Sequence, residues 1–213
     1  MPVRSARVLA TSIVLFVPFF AFSGQGSVYG PSAPGDSAFV RVVNAAPGAQ
    51  SLVVSLGATR FDALKYAEVS PYRPVIPDIY LVRAFGNQME LVAKTKTYFT
   101  IVCTSKSILI LEDATHVDPA RAQIFLYNLS SVPSLDLKSS DGKTILIAGV
   151  KSGSSSVKVV NAVAASLAVF AGSSRVKQLG DLGLARGSSF SVFAFGDAAS
   201  PTVLVVKAEV RVK

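Results

Sequence analysis

The chain of 213 residues is 50% hydrophobic, has one cysteine, one histidine and no tryptophan, and carries a formal charge of +8. A single cysteine excludes an intrachain disulfide, and one histidine with one cysteine excludes a His/Cys metal site. Arg4 and Arg7 supply two of the positive charges; of the rest, residues up to 113 hold eight basic and seven acidic side chains, and those beyond hold eleven and six. The positive field therefore belongs to the C-terminal part, but its residues stand singly and form no stripe, which excludes nucleic acid as the partner.

In chain order, residues 1–23 read as a signal peptide. Arg4 and Arg7 form a basic start, Val8 to Phe22 is apolar apart from Thr11, Ser12 and Pro18, and Ala21-Phe22-Ser23 supplies a cleavage site. The apolar run falls short of the ~20 residues a span needs, so a cleaved leader is expected, with an uncleaved anchor as the alternative, and in either case an exported protein. Residues 24–37, rich in Gly, Pro and Ser, read as a flexible arm.

From Ala38 onward the pattern is short alternating β runs such as "AFVRVVN", "IYLVRAF", "TYFTIVC", "AQIFLYN" and "SFSVFAF", separated by turn chemistry such as "SSDGK" and "KSGSSS". Only "FDALKYAE" and "LGDLGLA" have a pattern open to a helical turn. The series predicts an all-β protein of antiparallel sandwiches. It also repeats: Val40, Val42 and Asn44 align with Ile124, Leu126 and Asn128, and Phe99 aligns with Phe190. Two tandem β-sandwich domains follow, over residues 38–113 and 122–213, with 114–121 as linker. Strand alternation turns Val40, Val42, Ile124 and Leu126 into the two cores and Arg41, Phe125 and Tyr127 outward; for the two aromatics, cover by a neighbouring loop or the other domain is expected ahead of a binding role.

Several residues invite a chemical reading. Gly35-Asp36-Ser37 matches the nucleophile motif of one esterase family, and Asp113-Ala114-Thr115-His116 has the spacing of that family's acid and base. Ser37 nevertheless precedes the first strand, and Asp113 and His116 fall at the linker, so nothing fixes a nucleophile against a base. Glu112, Asp113 and Asp118 lack the glycine of a calcium loop and read as a solvated acidic linker. Cys103 shares a strand face with Phe99 and Ile101 and reads as a buried core residue. Asn128 opens a glycosylation sequon, and the simpler role is to end a strand and start a turn. No cofactor site is expected.

Blocks spread through the chain, "VYGPSAPGDSAFVRVVNA", "LILEDA", "NLSSVPSLDLKSSDGKT", "VNAVAASLAVFAG" and "LARGSS", are similar to those of the AlgF family of alginate O-acetylation accessory proteins. The resemblance implies a periplasmic protein of two β-sandwiches without catalysis of its own, mediating contacts among the proteins that transfer acetyl groups to an exopolysaccharide. The blocks "YAEVSPYRPVIPDIY" and "KAEVRVK" depart from the family pattern. For an adaptor, the expected contacts are Tyr29, Gly30, Pro31 and Pro34 of the arm, with Tyr66, Tyr72, Arg73 and Tyr80. The alternative, a carbohydrate-binding module for an anionic polysaccharide, would use Lys138, Lys143, Lys151 and Lys158; against it stands the lack of tryptophan as a stacking platform.

Overall fold

The computed structural model describes residues 33–49 and 51–212. The leader reading and most of the arm, Tyr29, Gly30 and Pro31 included, lie outside the described residues. Sixteen strands follow in order. The first eight are β1 (Ala38–Asn44), β2 (Ser55–Leu56), β3 (Thr59–Arg60), β4 (Arg73–Val75), β5 (Ile79–Ala84), β6 (Asn87–Val92), β7 (Tyr98–Cys103) and β8 (Ile108–Asp113). The second eight are β9 (Ala122–Ser130), β10 (Ser134–Ser139), β11 (Ile145–Lys151), β12 (Ser154–Val160), β13 (Ala164–Ala171), β14 (Ser174–Gly183), β15 (Ser189–Gly196) and β16 (Thr202–Lys207).

Neither helical turn forms: "FDALKYAE" is irregular, and "LGDLGLA" runs through β14. Leu179 packs on an apolar core and Leu182 lies buried in it, and strand pairing with β13 from Ala164↔Gly183 to Ala171↔Ser174 supplies the backbone bonds that a single isolated turn could not. Asp113, expected at the linker, is the last residue of β8 and is buried.

The internal repeat is visible in the pairing. One sheet has the order β4-β1-β7-β8 and its counterpart the order β12-β9-β15-β16. In both, the first strand lies parallel to a late one, with Val40 opposite Phe99 and Ile124 opposite Phe190, the positions that align in sequence. Parallel neighbours need a long crossover, and the intervening strands supply it while building the outer layers. These outer layers are the hairpins β2-β3 and β5-β6 on one side, and the sheet β11-β10-β13-β14 on the other. The β5-β6 hairpin closes through Phe85 and Gly86, both at positive φ (48° and 80°), the two-residue turn whose twist suits antiparallel strands.

Alternation sorts the side chains into three cores. Val40, Val42, Phe99 and Ile101 face the first outer layer, and Ile124, Leu126 and Val192 face the second, as the strand pattern predicts. The opposite faces of the two equivalent sheets meet in a third core of Val43, Val102, Phe125, Tyr127, Phe193 and Phe195. The side chains that each sandwich turns outward are thereby covered by the other. Removing a buried Phe or Val from water is worth about 1.5–3 kcal/mol per side chain, so this seam is a substantial adhesive surface. A main-chain link reinforces it: Tyr72 N donates to Glu209 O (2.9 Å) and Arg211 N donates to Tyr72 O (2.8 Å), bridging the last residues to the edge of β4.

The aligned asparagines do the same work in each sandwich. Asn44 Nδ2 donates to Leu64 O (3.0 Å), and Asn128 Nδ2 donates to Val132 O (2.8 Å) and Val150 O (3.0 Å). Both are fully buried inside strands. Asn128 lies within β9, one residue pair short of its end, so its amide fastens a crossing loop and is not presented as a surface sequon.

Candidate functional site

The seam between the two equivalent sheets holds the most concentrated chemistry. Arg41 on β1 is 1% exposed, and its cation needs partners that an apolar layer cannot give. Its Nε donates to Thr100 Oγ1 and its Nη2 donates to Tyr127 Oη, each at 2.8 Å. Both hydroxyls pass a hydrogen bond on: Thr100 Oγ1 donates to Asp113 Oδ2 and Tyr127 Oη donates to Asp113 Oδ1, each at 2.5 Å. Tyr72 Oη completes the shell by donating to Asp113 Oδ2 at 2.7 Å. The guanidinium also lies 4.5 Å from the Tyr72 ring centre, 5.2 Å from that of Tyr127 and 5.0 Å from that of Phe193.

Burial drives the Tyr72 and Tyr127 phenols well above the ordinary tyrosine range, with the positive charge of Arg41 pulling the other way. Burial disfavours the charge on Arg41, and the phenol oxygens of Tyr127 and Tyr72 with the carboxylate of Asp113 more than offset that and raise its pKa. The network runs from Arg41 through two hydroxyls to Asp113 and joins the two sheets.

Beside it opens a hollow of about 200 Å³ lined by Tyr98, His116, Gln123, Ser189 and Lys207, among others. Gln123 Nε2 donates to Ala114 O (3.1 Å), which turns its Oε1 toward Ser189; Ser189 Oγ donates to that oxygen at 3.1 Å. Ser189 Oγ lies 3.2 Å from His116 Nδ1. Which atom donates between Ser189 and His116 is set by the imidazole tautomer. His116 Nε2 is buried without a hydrogen-bond partner.

The residues singled out in the sequence are scattered. Ser37 is buried at the entrance to β1, where its N–H donates to Pro34 O (3.0 Å) and its carbonyl accepts from Lys96 N (2.8 Å). Among the described residues, no hydrogen bond joins any two of Ser37, Asp113 and His116. Glu112, Asp113 and Asp118 gather no metal geometry, and no three His, Cys, Asp or Glu side chains among the described residues do so. Cys103 is buried in the first core, and burial pushes its thiol up to about 12.

Of the expected partner contacts, Tyr72 is 4% exposed and spent within the seam, so its phenol is not a surface anchor. Tyr66 rests against Phe195, Tyr80 Oη donates to Ile76 O (2.7 Å), and Arg73 Nη1 donates to Arg60 O (2.5 Å). Pro34 borders a groove beside Arg73. Lys138 pairs with Asp136 at 3.0 Å and Lys143 with Asp141 at 4.0 Å, on the β10-β11 side, while Lys158 sits on β12 in the other sheet. Lys151 ends β11. Sequence reasoning passed over Arg41, Gln123 and Ser189; the available signal was an arginine placed outward on the strand whose repeat partner turns Phe125 and Tyr127 outward.

The fold and seam define an all-β protein of two equivalent sandwiches joined back to back through a polar-centred core. The chain belongs to the AlgF family: the model described as "Alginate O-acetyl transferase AlgF" matches residues 12–191. It is 31% identical over 206 residues to the alginate biosynthesis protein AlgF of Pseudomonas aeruginosa, covering 95% of this chain and 94% of that protein. The namesake from Pseudomonas putida is 29% identical, with 93% of each chain covered. A solved C-terminal domain of AlgF from P. aeruginosa is 33% identical and covers 41% of this chain and 98% of its own, with a TM-score of 0.39.

Proposed function

We propose that this chain is a non-catalytic periplasmic adaptor in the O-acetylation of an alginate-type exopolysaccharide, holding acetyl-transfer proteins in contact with one another. Membership of the AlgF family supports the pathway. The adaptor role rests on one observation, an uncovered apolar face on the outer β5-β6 hairpin. Ile79 and Leu81 alternate with the buried Val82 and Ala84 and are 61% and 45% exposed. Val92, opposite Ile79, is 47% exposed, and Ile76 just before the hairpin is 77% exposed. Arg83, Gln88 and Glu90 share this face, so the exposed apolar side chains gather at its Ile79–Val92 end with a polar rim beside them, an arrangement that suits a protein contact.

The test is co-purification of the acetylation proteins with the tagged chain from membranes, beside the acetyl content of the secreted polymer in the same deletion strain. Ile79→Asp with Leu81→Asp should abolish both while the protein stays folded. Retention of both with the patch reversed overturns the reading.

A further inference from the structure

A second surface lies away from the apolar hairpin. The tip of β2-β3, the start of β4 and the end of the chain enclose a groove of about 400 Å³ bordered by Arg60, Arg73 and Arg211, with Pro34, Pro74 and Val212 beside them. Backbone and side-chain bonds hold this arrangement. Arg73 Nη1 donates to Arg60 O (2.5 Å), Thr59 Oγ1 donates to Pro74 O (3.2 Å), and Arg211 N donates to Tyr72 O (2.8 Å), which sets Arg211 next to Arg73. Among the described residues, the ion pairs within 4.0 Å involve none of the three arginines. Glu209 borders the adjoining hollow without pairing to Arg211.

Three arginines border one groove, and among the described residues none of them is ion-paired within 4.0 Å. We propose that this groove is a docking site for an acidic segment of a protein partner, whose carboxylates the arginines bind in forked pairs; the proposal rests on the adaptor reading above. Charge complementarity selects an anion, and the planar fork of arginine suits a carboxylate. The lining favours a peptide over a polyuronate. Alanine, proline, threonine and valine complete the groove, and no aromatic ring is present on which a sugar could stack. The site draws on both sandwiches, so it exists only while Arg211 is tied to the edge of β4.

The experiment titrates the full exported chain with a fluorescent oligo-glutamate peptide and, separately, with an oligo-uronate of equal charge, at low and high salt. The peptide should bind saturably and more weakly in high salt. Arg60→Ala with Arg211→Ala, both exposed positions, should weaken it by about tenfold or more, the loss expected from removing charge-assisted hydrogen bonds. Lys143→Ala with Lys151→Ala should bind as the parent does. Equal peptide affinity in the parent and the double arginine variant overturns the proposal, as does arginine-dependent binding of the uronate alone. Acetylation proteins that still co-purify with the double arginine variant also overturn it and leave the adaptor reading standing. If they fail to co-purify even with the parent chain while the peptide binds through the arginines, the adaptor reading falls and the carboxylate site remains.

Discussion

Arg41 and Asp113 form an ion pair at one remove: their closest charged atoms are 3.9 Å apart, and the hydroxyls of Thr100 and Tyr127 each accept from the guanidinium and donate to the carboxyl. Arg41 and Asp113 come from the first and last strands of one sheet, and Tyr127 comes from the sheet packed against it. The relay therefore ties the two sandwiches together at the point where their apolar faces meet.

Breaking that relay from the acidic end should be costly. Asp113→Ala leaves the guanidinium buried with its neighbours still in place, and loss of one partner of a buried pair costs about 3–5 kcal/mol. Chemical denaturation should show that loss. Replacing both Arg41 and Asp113 with apolar residues of similar size should recover much of it, because no unpaired charge then remains. A loss below about 1 kcal/mol for the single variant would mean that water enters the seam and solvates Arg41.

The same cluster predicts a one-sided pH dependence. Tyr72 and Tyr127 have pKa values raised by burial in the folded protein. An acid whose folded pKa is raised keeps its proton after the unfolded chain has released it, so the stability it contributes is full below the unfolded value and declines above it. Denaturation midpoints should hold steady toward neutral pH and fall as pH rises past the ordinary tyrosine value of about 10. Tyr72→Phe with Tyr127→Phe should flatten that alkaline slope while lowering stability at neutral pH.

Much of this architecture was legible in the sequence. Alternation in "AFVRVVN" and "AQIFLYN" placed Val40, Val42, Ile124 and Leu126 correctly, because each strand has one face on a core of its own sandwich. The repeat located the equivalent strands. Parallel pairing of β1 with β7 and β9 with β15 was hidden, since pairing direction depends on the path of the crossover and alternation is blind to it. Tyr72 read as a surface contact because it stands in a block without strand alternation, and nothing local shows that its phenol reaches Asp113 across 41 residues. The bond from Ser189 to Gln123 joins residues far apart in sequence and carried no local signal.

Cutting the linker separates two expectations about the halves. Residues 114–121 form no strand, and Val117 within them is 82% exposed, so limited proteolysis should act there first. The third core and the link between Tyr72 and Val210 span the two pieces, and the nicked chain should therefore elute as one species until mild denaturant is added. Phe193→Ala, which removes a buried ring stacked on Tyr127 with centroids 4.4 Å apart, should lower the denaturant needed to part them. Its cost should be about 3–5 kcal/mol. Immediate separation of the nicked parent would show that the seam contributes little.

Acetylation of the polymer should be indifferent to the residues that mimic a hydrolase. Ser37 is anchored at the start of β1 by Pro34 and Lys96, away from Asp113 and His116, and the serine beside His116, Ser189, also bonds Gln123. A working general base contributes about 10²–10⁴-fold to a rate, and an activated nucleophile is indispensable to its reaction. Ser37→Ala, His116→Ala and Ser189→Ala, each expressed in a strain lacking the native gene, should leave the acetyl ester content of the secreted polymer within about twofold of the parent. Asp113→Ala should lower acetylation only as far as it destabilises the seam. A drop of two or more orders of magnitude in any of the three, in protein that remains folded and still recovers its partners, would assign that residue a part in the chemistry and overturn the adaptor reading.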